Sequence, residues 1–411
     1  GGGRVDWAKD GSNLIAFDFK IQADGYFDVY TMRPDTSLKQ CITCGNVLVP
    51  QKHNGQPAWH PSGNWIVFQA EKAVHPGLST FCTPGKGVYN DLWVITPDGT
   101  SACQLTNLPV TGDNGVLHPH FSNDGTKLSW SQLVKASQFQ TGLELGSWIL
   151  CVADFNGCSI SNIQTFMPGD SVFYENHGFS HDDSSLVFTS NFLVGQSTLT
   201  YNNIYTINIY TQALKQLTSV KYNEHATYIP GINKICWGTN KENQIINPGM
   251  DYWIMNPDSS NKQRITYFNK PGHFETAGNS VRTVDHSWNA TGDSLVAYVG
   301  KGSFLAADTG DIYILKFNGP LMTGENKVQD VSNHVLVYPN PLIDKTTIEF
   351  NNPGNEIYTL ALFNNQGQHV RTITHITGER AEIERENLAG GLYFYRLQSD
   401  KRVITGKLMV K

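Results

Sequence analysis

The sequence predicts an all-β protein, a six-bladed β-propeller over residues 1–332 followed by a small Ig-like β-sandwich over residues 333–411. Three observations support this prediction. One short pattern recurs six times along the first part of the chain, and the strand signals that follow it are short and either apolar or alternating. Near residue 332 the pattern changes, which marks the start of a second domain.

The composition suits many short strands joined by tight turns. Hydrophobic residues make up 39% of the 411 residues and charged residues only 16%, with 38 glycines and 9 tryptophans. The formal net charge is -6 and no run of Lys or Arg occurs. We therefore expect neither nucleic acid nor an anionic membrane surface as the main partner. No apolar stretch approaches the ~20 residues that a transmembrane helix needs.

Each repeat opens with an aromatic residue and a tight turn. These aromatics stand roughly 50–60 residues apart, a period that fits propeller blades with loop insertions. The six leading aromatics are Trp7, Trp59, Phe121, Phe179, Tyr228 and Trp288. We expect each of them to fill the wedge between two neighbouring blades.

Further strand signals follow each turn. An apolar strand comes first, at residues 14–17, 65–68, 128–130, 186–188, 235–237 and 295–298. A strand that starts with Asp or Asn follows, for example at residues 91–95, 203–207, 251–255 and 311–315. A last short strand closes several repeats, at residues 104–106, 216–218 and 264–266. Four strands in each of six units predict a propeller, whose radial closure leaves few exposed sheet edges.

This turn-and-strand pattern resembles the repeat of TolB-type propellers, and the resemblance covers roughly residues 4–330. The alternative is a solenoid of the same repeats, but solenoids usually need distinct polar caps, which we do not find. The fold that the resemblance implies serves mostly as a platform, so it implies little about function. How the ring closes stays open, because the chain begins almost at an inner strand.

The tail carries a different set of motifs. Its strand signals lie at residues 346–350, 358–363 and 391–397, as expected for a small Ig-like sandwich. The motifs are Tyr338-Pro339-Asn340-Pro341, an Asn-x-x-Gly turn at 364–367, Leu-Ala-x-Gly-Leu-Tyr at 388–393 and the closing segment 406–411. Together they resemble the type A sorting domain of the bacterial type IX secretion system, and the alternative is a carbohydrate-binding sandwich.

The resemblance of residues 333–411 implies a route for the whole chain. It implies passage through the periplasm, export by the type IX machinery as a partner, and release or attachment at the cell surface. The segment Gly1-Gly2-Gly3-Arg4 has neither a basic nor an apolar region of a signal peptide. We therefore expect any signal peptide to have been removed or to lie outside this sequence.

The cysteines are expected to be structural. Cys151 and Cys158 bracket a hairpin turn and could face each other across it, and Cys82 and Cys103 flank another strand pair. The Cys41-x-x-Cys44 spacing also occurs in zinc and redox sites, but no second ligand pair follows and no helix begins there. Cys236 is expected to be buried and unpaired.

The most informative polar residues stand three positions before each leading aromatic, where inner strands converge on the propeller axis. They are Arg4, Gln56, His118, Asn176, His225 and Asp285, with Glu175, Glu224, His120, His177 and His286 beside them. We expect a ligand site among them at the channel mouth, made from Arg4, Gln56, His118, His120, Asn176, His177, His225, Asp285 and His286. A water-filled channel lined by polar residues for solvation alone is the alternative.

Two functions are therefore compatible with the sequence. The first is an exported binding propeller that recognises a glycan, peptide or protein ligand at its channel mouth. The second is a metal-assisted enzyme, such as a polysaccharide lyase or hydrolase, with a divalent metal ion on His118, Glu175, Glu224 and His225. No Gly-x-Ser-x-Gly elbow, His-Glu-x-x-His helix, P-loop or dinucleotide fingerprint occurs. Long insertions in blades two, three and five are a further place where a ligand could bind.

Overall fold

The computed structural model consists of two compact units, Gly1–Thr323 and Gly324–Lys411. It describes residues 2–20, 24–75, 80–136, 146–169, 173–191, 202–219, 221–242, 249–273, 275–276, 280–301, 309–317, 335–350, 352, 354–399 and 403–411. The domain boundary expected at residues 332 and 333 lies outside these residues. In this part of the chain the regular elements are β-strands, and no helix has the length and hydropathy to cross a bilayer.

The first unit is a propeller of six antiparallel sheets, and each sheet is one blade built from consecutive strands. The strands of blades one to three are β1 (Gly2–Trp7), β2 (Ile15–Lys20), β3 (Phe27–Met32), β4 (Gln40–Cys41), β5 (Asn54–Trp59), β6 (Ile66–Glu71), β7 (Asn90–Ile95), β8 (Ala102–Gln104), β9 (Gly115–Phe121), β10 (Lys127–Lys135), β11 (Ser147–Phe155) and β12 (Ile160–Phe166). The leading aromatic ends the innermost strand of each blade, as predicted.

Blades four and five also have four strands, and blade six has three among the described residues. Their strands are β13 (Tyr174–Phe179), β14 (Ser185–Ser190), β15 (Asn203–Asn208), β16 (Leu214–Gln216), β17 (Asn223–Tyr228), β18 (Ile235–Thr239), β19 (Asp251–Met255), β20 (Gln263–Arg264), β21 (Val281–Trp288), β22 (Ser294–Lys301) and β23 (Thr309–Lys316). The predicted all-β propeller is therefore confirmed.

A separate apolar core fills the wedge between each pair of neighbouring blades. The core between blades one and two holds Trp59 among Ala16, Val29 and Ile66. Each of the other five wedges also holds a core whose apolar side chains come from two neighbouring blades. The leading aromatic belongs to that core or packs against it. Burial of these aromatic and aliphatic side chains supplies the main stabilisation of the ring.

Among the described residues each blade uses only its own consecutive strands, and the contacts that close the ring there involve side chains. β1 contacts all three strands of blade six. Trp7, Ile15 and Phe17 share one core with Val296 of that blade. At the axis, the backbone N–H of Trp7 donates to the hydroxyl of Ser287 (3.0 Å), and that hydroxyl donates to Asp6.

The Asp or Asn that begins the third strand of a blade has a defined role. In blade five, the hydroxyl of Thr266 donates to Asp251 (3.0 Å) and accepts the N–H of Tyr252 (2.9 Å). Three other blades repeat this bond with the same spacing of 15 residues, in the pairs Asp28–Thr43, Asp91–Thr106 and Asn203–Thr218. In blades two, four and five the outer strand ends two residues earlier than predicted, because the Leu-Thr or Ile-Thr pair that follows it supplies the threonine for this contact.

The second unit is a two-sheet sandwich, as predicted. Its strands are β24 (Leu336–Tyr338), β25 (Lys345–Glu349), β26 (Tyr358–Asn364), β27 (His369–Ile376), β28 (Arg380–Glu384), β29 (Gly391–Gln398) and β30 (Val403–Val410). A sheet of β24, β25 and β28 and a sheet of β27, β26, β29 and β30 enclose one core. At the Asn-x-x-Gly turn, Gly367 adopts φ 77° and its N–H donates to the carbonyl of Asn364.

The disulfide bonds differ from one sequence expectation. Cys41 pairs with Cys44, and Cys103 of blade two pairs with Cys158 of blade three. The expectation that Cys151 and Cys158 face each other across the hairpin is therefore wrong. Cys151 lies within β11 and points into the core between blades two and three, whereas Cys158 lies in the turn beyond that strand. Cys236 is buried and unpaired, as predicted.

Removal of the threonine hydroxyl is expected to destabilise blade five more than blade four. Thr266→Val leaves the buried carboxylate of Asp251 without one donor, so we expect the free energy of unfolding to fall by about 2–3 kcal/mol. The matched change Thr218→Val removes a bond to the neutral amide of Asn203 and should lower it by about 1 kcal/mol. Urea unfolding followed by tryptophan fluorescence measures both, and equal losses would contradict the role given to the carboxylate.

Peptide mapping tests the cysteine pairing. Digestion of the unreduced protein is expected to release one peptide pair joined through Cys103 and Cys158. Cys82, Cys151 and Cys236 should react with a thiol reagent only after denaturation, because all three are buried. A peptide joined through Cys151 and Cys158 is the result that would overturn this assignment.

Candidate functional site

Every innermost strand of the propeller contains a β-bulge near its middle. The pairing register shifts within each inner pair, β1 with β2, β5 with β6, β9 with β10, β13 with β14, β17 with β18 and β21 with β22. Gln56, His118 and His225 adopt positive φ angles of 51°, 49° and 52° at these bulges. A bulge re-aims the side chains that it carries, and here it turns them towards the axis.

Backbone N–H groups at the bulges bond to side chains of the preceding blade. The N–H of Gln56 donates to Asp18 of blade one (2.9 Å), and the N–H of His118 donates to Gln56 of blade two (2.8 Å). The N–H of Asn176 donates to the hydroxyl of Ser131 in blade three (2.8 Å). The bulges therefore join neighbouring blades as well as positioning axial side chains.

The bulges place most of the predicted residues around one axial cavity of about 200 Å³. The sequence-predicted residues that line it are Arg4, Gln56, His118, His120, His177, His225, Asp285 and His286. Asn176 instead donates its amide to the carbonyl of His118 and to the hydroxyl of Ser129. The reason is that the bulge of β13 is displaced along the strand and comprises His177 and Gly178. His177 therefore takes the axial place in blade four.

Ionic contacts connect these side chains across the axis. Arg4 pairs with Asp285, whose Oδ1 stands 3.1 Å from Nδ1 of His225. Nε2 of His118 is 2.7 Å from Oε1 of Glu175, and Nε2 of His225 is 3.3 Å from Oε2 of Glu224. Blades one, three, four, five and six thus contribute to one network.

Burial lowers the pKa of four imidazoles that line the cavity. Loss of solvation, reinforced by neighbouring cationic groups, holds the pKa of His118 and His177 well below the usual value. Burial also lowers the pKa of His120 to about 4 and that of His286 to about 3. At neutral pH these four imidazoles therefore present hydrogen-bonding groups to the cavity without added positive charge.

The two glutamates of the network respond differently to burial. Burial raises the pKa of Glu175 to about 7 against the attraction of His225. Burial acts in the same direction on Glu224, but attraction to His225 and hydrogen bonds from His225 and Tyr222 outweigh it and lower the pKa of Glu224. Glu224 is therefore the more firmly ionised of the pair.

Three groups of metal-ligating side chains occur in the described part of the chain. In one, single donor atoms of Glu175, His177 and His225 lie within 4.8 Å of one another. This set shares Glu175 and His225 with the metal site predicted on His118, Glu175, Glu224 and His225. The others are Glu71 with His75 and Cys82, and Asp28 with the disulfide-bonded Cys41 and Cys44.

Sequence reasoning missed several cavity residues. Lys9 lines the cavity, and its ammonium group contacts Ser287 (3.1 Å) and Asp6 (3.7 Å). Thr227 bonds to Nε2 of His286 (2.8 Å). Asp6, Thr227 and Ser287 stand directly before a leading aromatic, so the recurrence of polar residues at that position was an available signal.

The long insertion of blade two lies at the opposite end of the channel from the cavity. The cavity is formed at the turns that follow the inner strands, whereas this insertion leaves the far end of β6. A Cβ on its Gly85 would stand 2.6 Å from the Arg4 guanidinium, so the insertion packs against the channel from that side. Residues 137–145 and 243–248 of the other insertions lie outside the described residues.

Comparison with known proteins identifies the tail. Residues 336–411 match the family described as the secretion system C-terminal sorting domain. No curated protein sequence matches the chain. Among solved structures, TolB from Agrobacterium tumefaciens is 14% identical with a TM-score of 0.47, and the match covers 69% of this chain and 83% of that one. The propeller domain of the Trilobed protease from Pyrococcus furiosus is 9% identical with a TM-score of 0.42, covering 99% and 95%.

The chain thus carries a type IX sorting domain at its C-terminus, which directs its export to the cell surface or the medium. This finding confirms the predicted destination. The carbohydrate-binding alternative for the tail is set aside by the family match.

Deletion of residues 333–411 is expected to stop export without unfolding the propeller. The six wedge cores lie wholly within the first unit, so its stability does not depend on the tail. Cell fractionation should find the truncated chain in the periplasm, and protease resistance should show that it is folded. Normal secretion of the truncated chain would refute the sorting role, and the full-length chain is the control.

Proposed function

We propose that the exported propeller is a binding module that takes a polar peptide segment of a protein ligand into its axial cavity. The observation that carries this proposal is the set of buried polar groups on the cavity wall. Nε2 of Gln56 is shielded from solvent and has no hydrogen-bond partner among the described residues. Buried polar groups of this kind are stabilised when a ligand supplies the missing bonds.

The wall favours a peptide over a glycan. Sugar rings usually bind on the open faces of aromatic side chains, and the two indoles at this cavity, Trp59 and Trp288, are only 5% and 1% exposed. The cavity volume of about 200 Å³ suits one or two amino-acid side chains or a chain terminus, and is small beside typical ligand pockets. Lys9 and Arg4 provide cations, each beside an aspartate.

The lyase or hydrolase alternative has less support. A general acid or base needs to reach the substrate, and Glu175, which contacts His118 and His177, does not itself line the cavity. The same contacts suit recognition, because they fix the orientation of each group on the wall.

The test uses the full chain against two immobilised libraries, random heptapeptides and defined oligosaccharides. We expect peptide ligands whose dissociation constant rises at least about tenfold, or 1.4 kcal/mol, in Lys9→Glu and in His120→Ala. Lys215→Glu is the matched control, since Lys215 is exposed on the outer strand of blade four and should leave binding unchanged.

Fluorescence anisotropy with the labelled peptides gives the affinities. Peptide binding that is unchanged in both Lys9→Glu and His120→Ala would contradict the proposal, and so would binding of oligosaccharides alone. Circular dichroism of each variant confirms that the fold is retained.

A further inference from the structure

The strongest unexplained feature of the channel is the trio Glu175, His177 and His225. Its members come from β13 and β17, so two adjacent blades bring them together. Each of the three residues is 5% exposed, and their donor atoms lie within 4.8 Å of one another.

The hydrogen bonding of the trio is incomplete. Oε2 of Glu175 is shielded from solvent and has no hydrogen-bond partner in the described part of the chain. A carboxylate oxygen in such a position loses its hydration without replacement, which is costly unless a cation or donor binds there. Oε2 of Glu175 therefore lacks a cation or a donor on the side that faces the two imidazoles.

Neighbouring groups hold the imidazoles in the way that metal-binding histidines are usually held. The carboxylate of Asp285 stands 3.1 Å from Nδ1 of His225, and the hydroxyl of Thr189 is 2.8 Å from Nε2 of His177. Such second contacts orient a ligand imidazole and select its tautomer.

We propose that Glu175, His177 and His225 bind one divalent transition-metal ion of the zinc type at the inner wall of the cavity. Two imidazoles and one carboxylate suit zinc and its neighbours, whereas magnesium and calcium require oxygen ligands. His177 and His225 also line the cavity, so the remaining coordination position faces it. This inference rests on the proposed binding function, and it assigns the ion the role of anchoring a carboxylate or carbonyl oxygen of the peptide ligand.

The test is calorimetric titration of the full chain with zinc chloride after removal of metals by a chelator. We expect one zinc ion per chain, no heat from magnesium chloride, and a rise in the melting temperature with zinc. Glu175→Gln and His225→Gln should each weaken zinc binding by at least about 100-fold, the upper range seen when only a supporting contact of a metal ligand is lost.

The Glu71, His75 and Cys82 group supplies the matched control. Glu71→Gln with Cys82→Ser removes the other complete set of potential ligands and should leave zinc binding unchanged. Loss of zinc in this control and its retention in Glu175→Gln and His225→Gln would overturn the assignment. Cobalt substitution gives a second measurement, because the visible spectrum of bound cobalt should report nitrogen and oxygen ligands without a thiolate.

Peptide binding with and without zinc separates the two proposals. If Lys9-dependent peptide binding occurs but no zinc binds at the channel trio, the metal site is wrong and the binding function stands. If zinc binds at the trio but no peptide binding depends on Lys9 and His120, the metal site stands and the binding function is wrong. If both are correct, removal of zinc weakens peptide binding at least about tenfold.

Discussion

The β-bulge in each inner strand is the constraint on which the rest of the propeller depends. A bulge leaves backbone groups outside the ladder of its own sheet, and at the axis those groups are shielded from water. They are satisfied from the neighbouring blade. Asp18 shows this most clearly, because its buried carboxylate accepts the N–H groups of Gly3, Arg4 and Gln56 from two blades. One set of bonds therefore both joins the blades and fixes the axial side chains.

Local patterns were enough to predict the repeats, the strands and the two domains. Leading aromatics, apolar strands and tight turns are properties of a few adjacent residues. Four leading aromatics are buried in a wedge core, and Phe121 and Tyr228 are partly buried against one. The Cys103–Cys158 bond could not be predicted in the same way, because it depends on how an outer strand of blade two packs against a turn of blade three. The position of a residue within one repeat carries no information on that packing.

The candidate site was predicted in outline for the same reason. Counting from the aromatic finds the axial residue wherever the bulge includes that position, as for His118 and His225. Blade four differs, because Gly178 accepts the positive φ of 99° that a bulge requires. The bulge moves with this glycine, so His177 reaches the axis and Asn176 becomes a link between blades. Side-chain spacing alone does not reveal where a bulge forms.

Two kinds of buried polar residue at the axis can be compared within this chain, neutral amides that join blades and ionisable side chains. In blades two and four the neutral amides of Gln56 and Asn176 make the bonds between blades, accepting from or donating to the backbone of His118. Amides make these bonds without the desolvation of ionisable groups. Glu175 and His225 are nevertheless each only 5% exposed, and ionisable side chains contact their polar atoms. We therefore attribute their presence to the ligand proposed for the channel, and the rigid strands of the fold hold them in place.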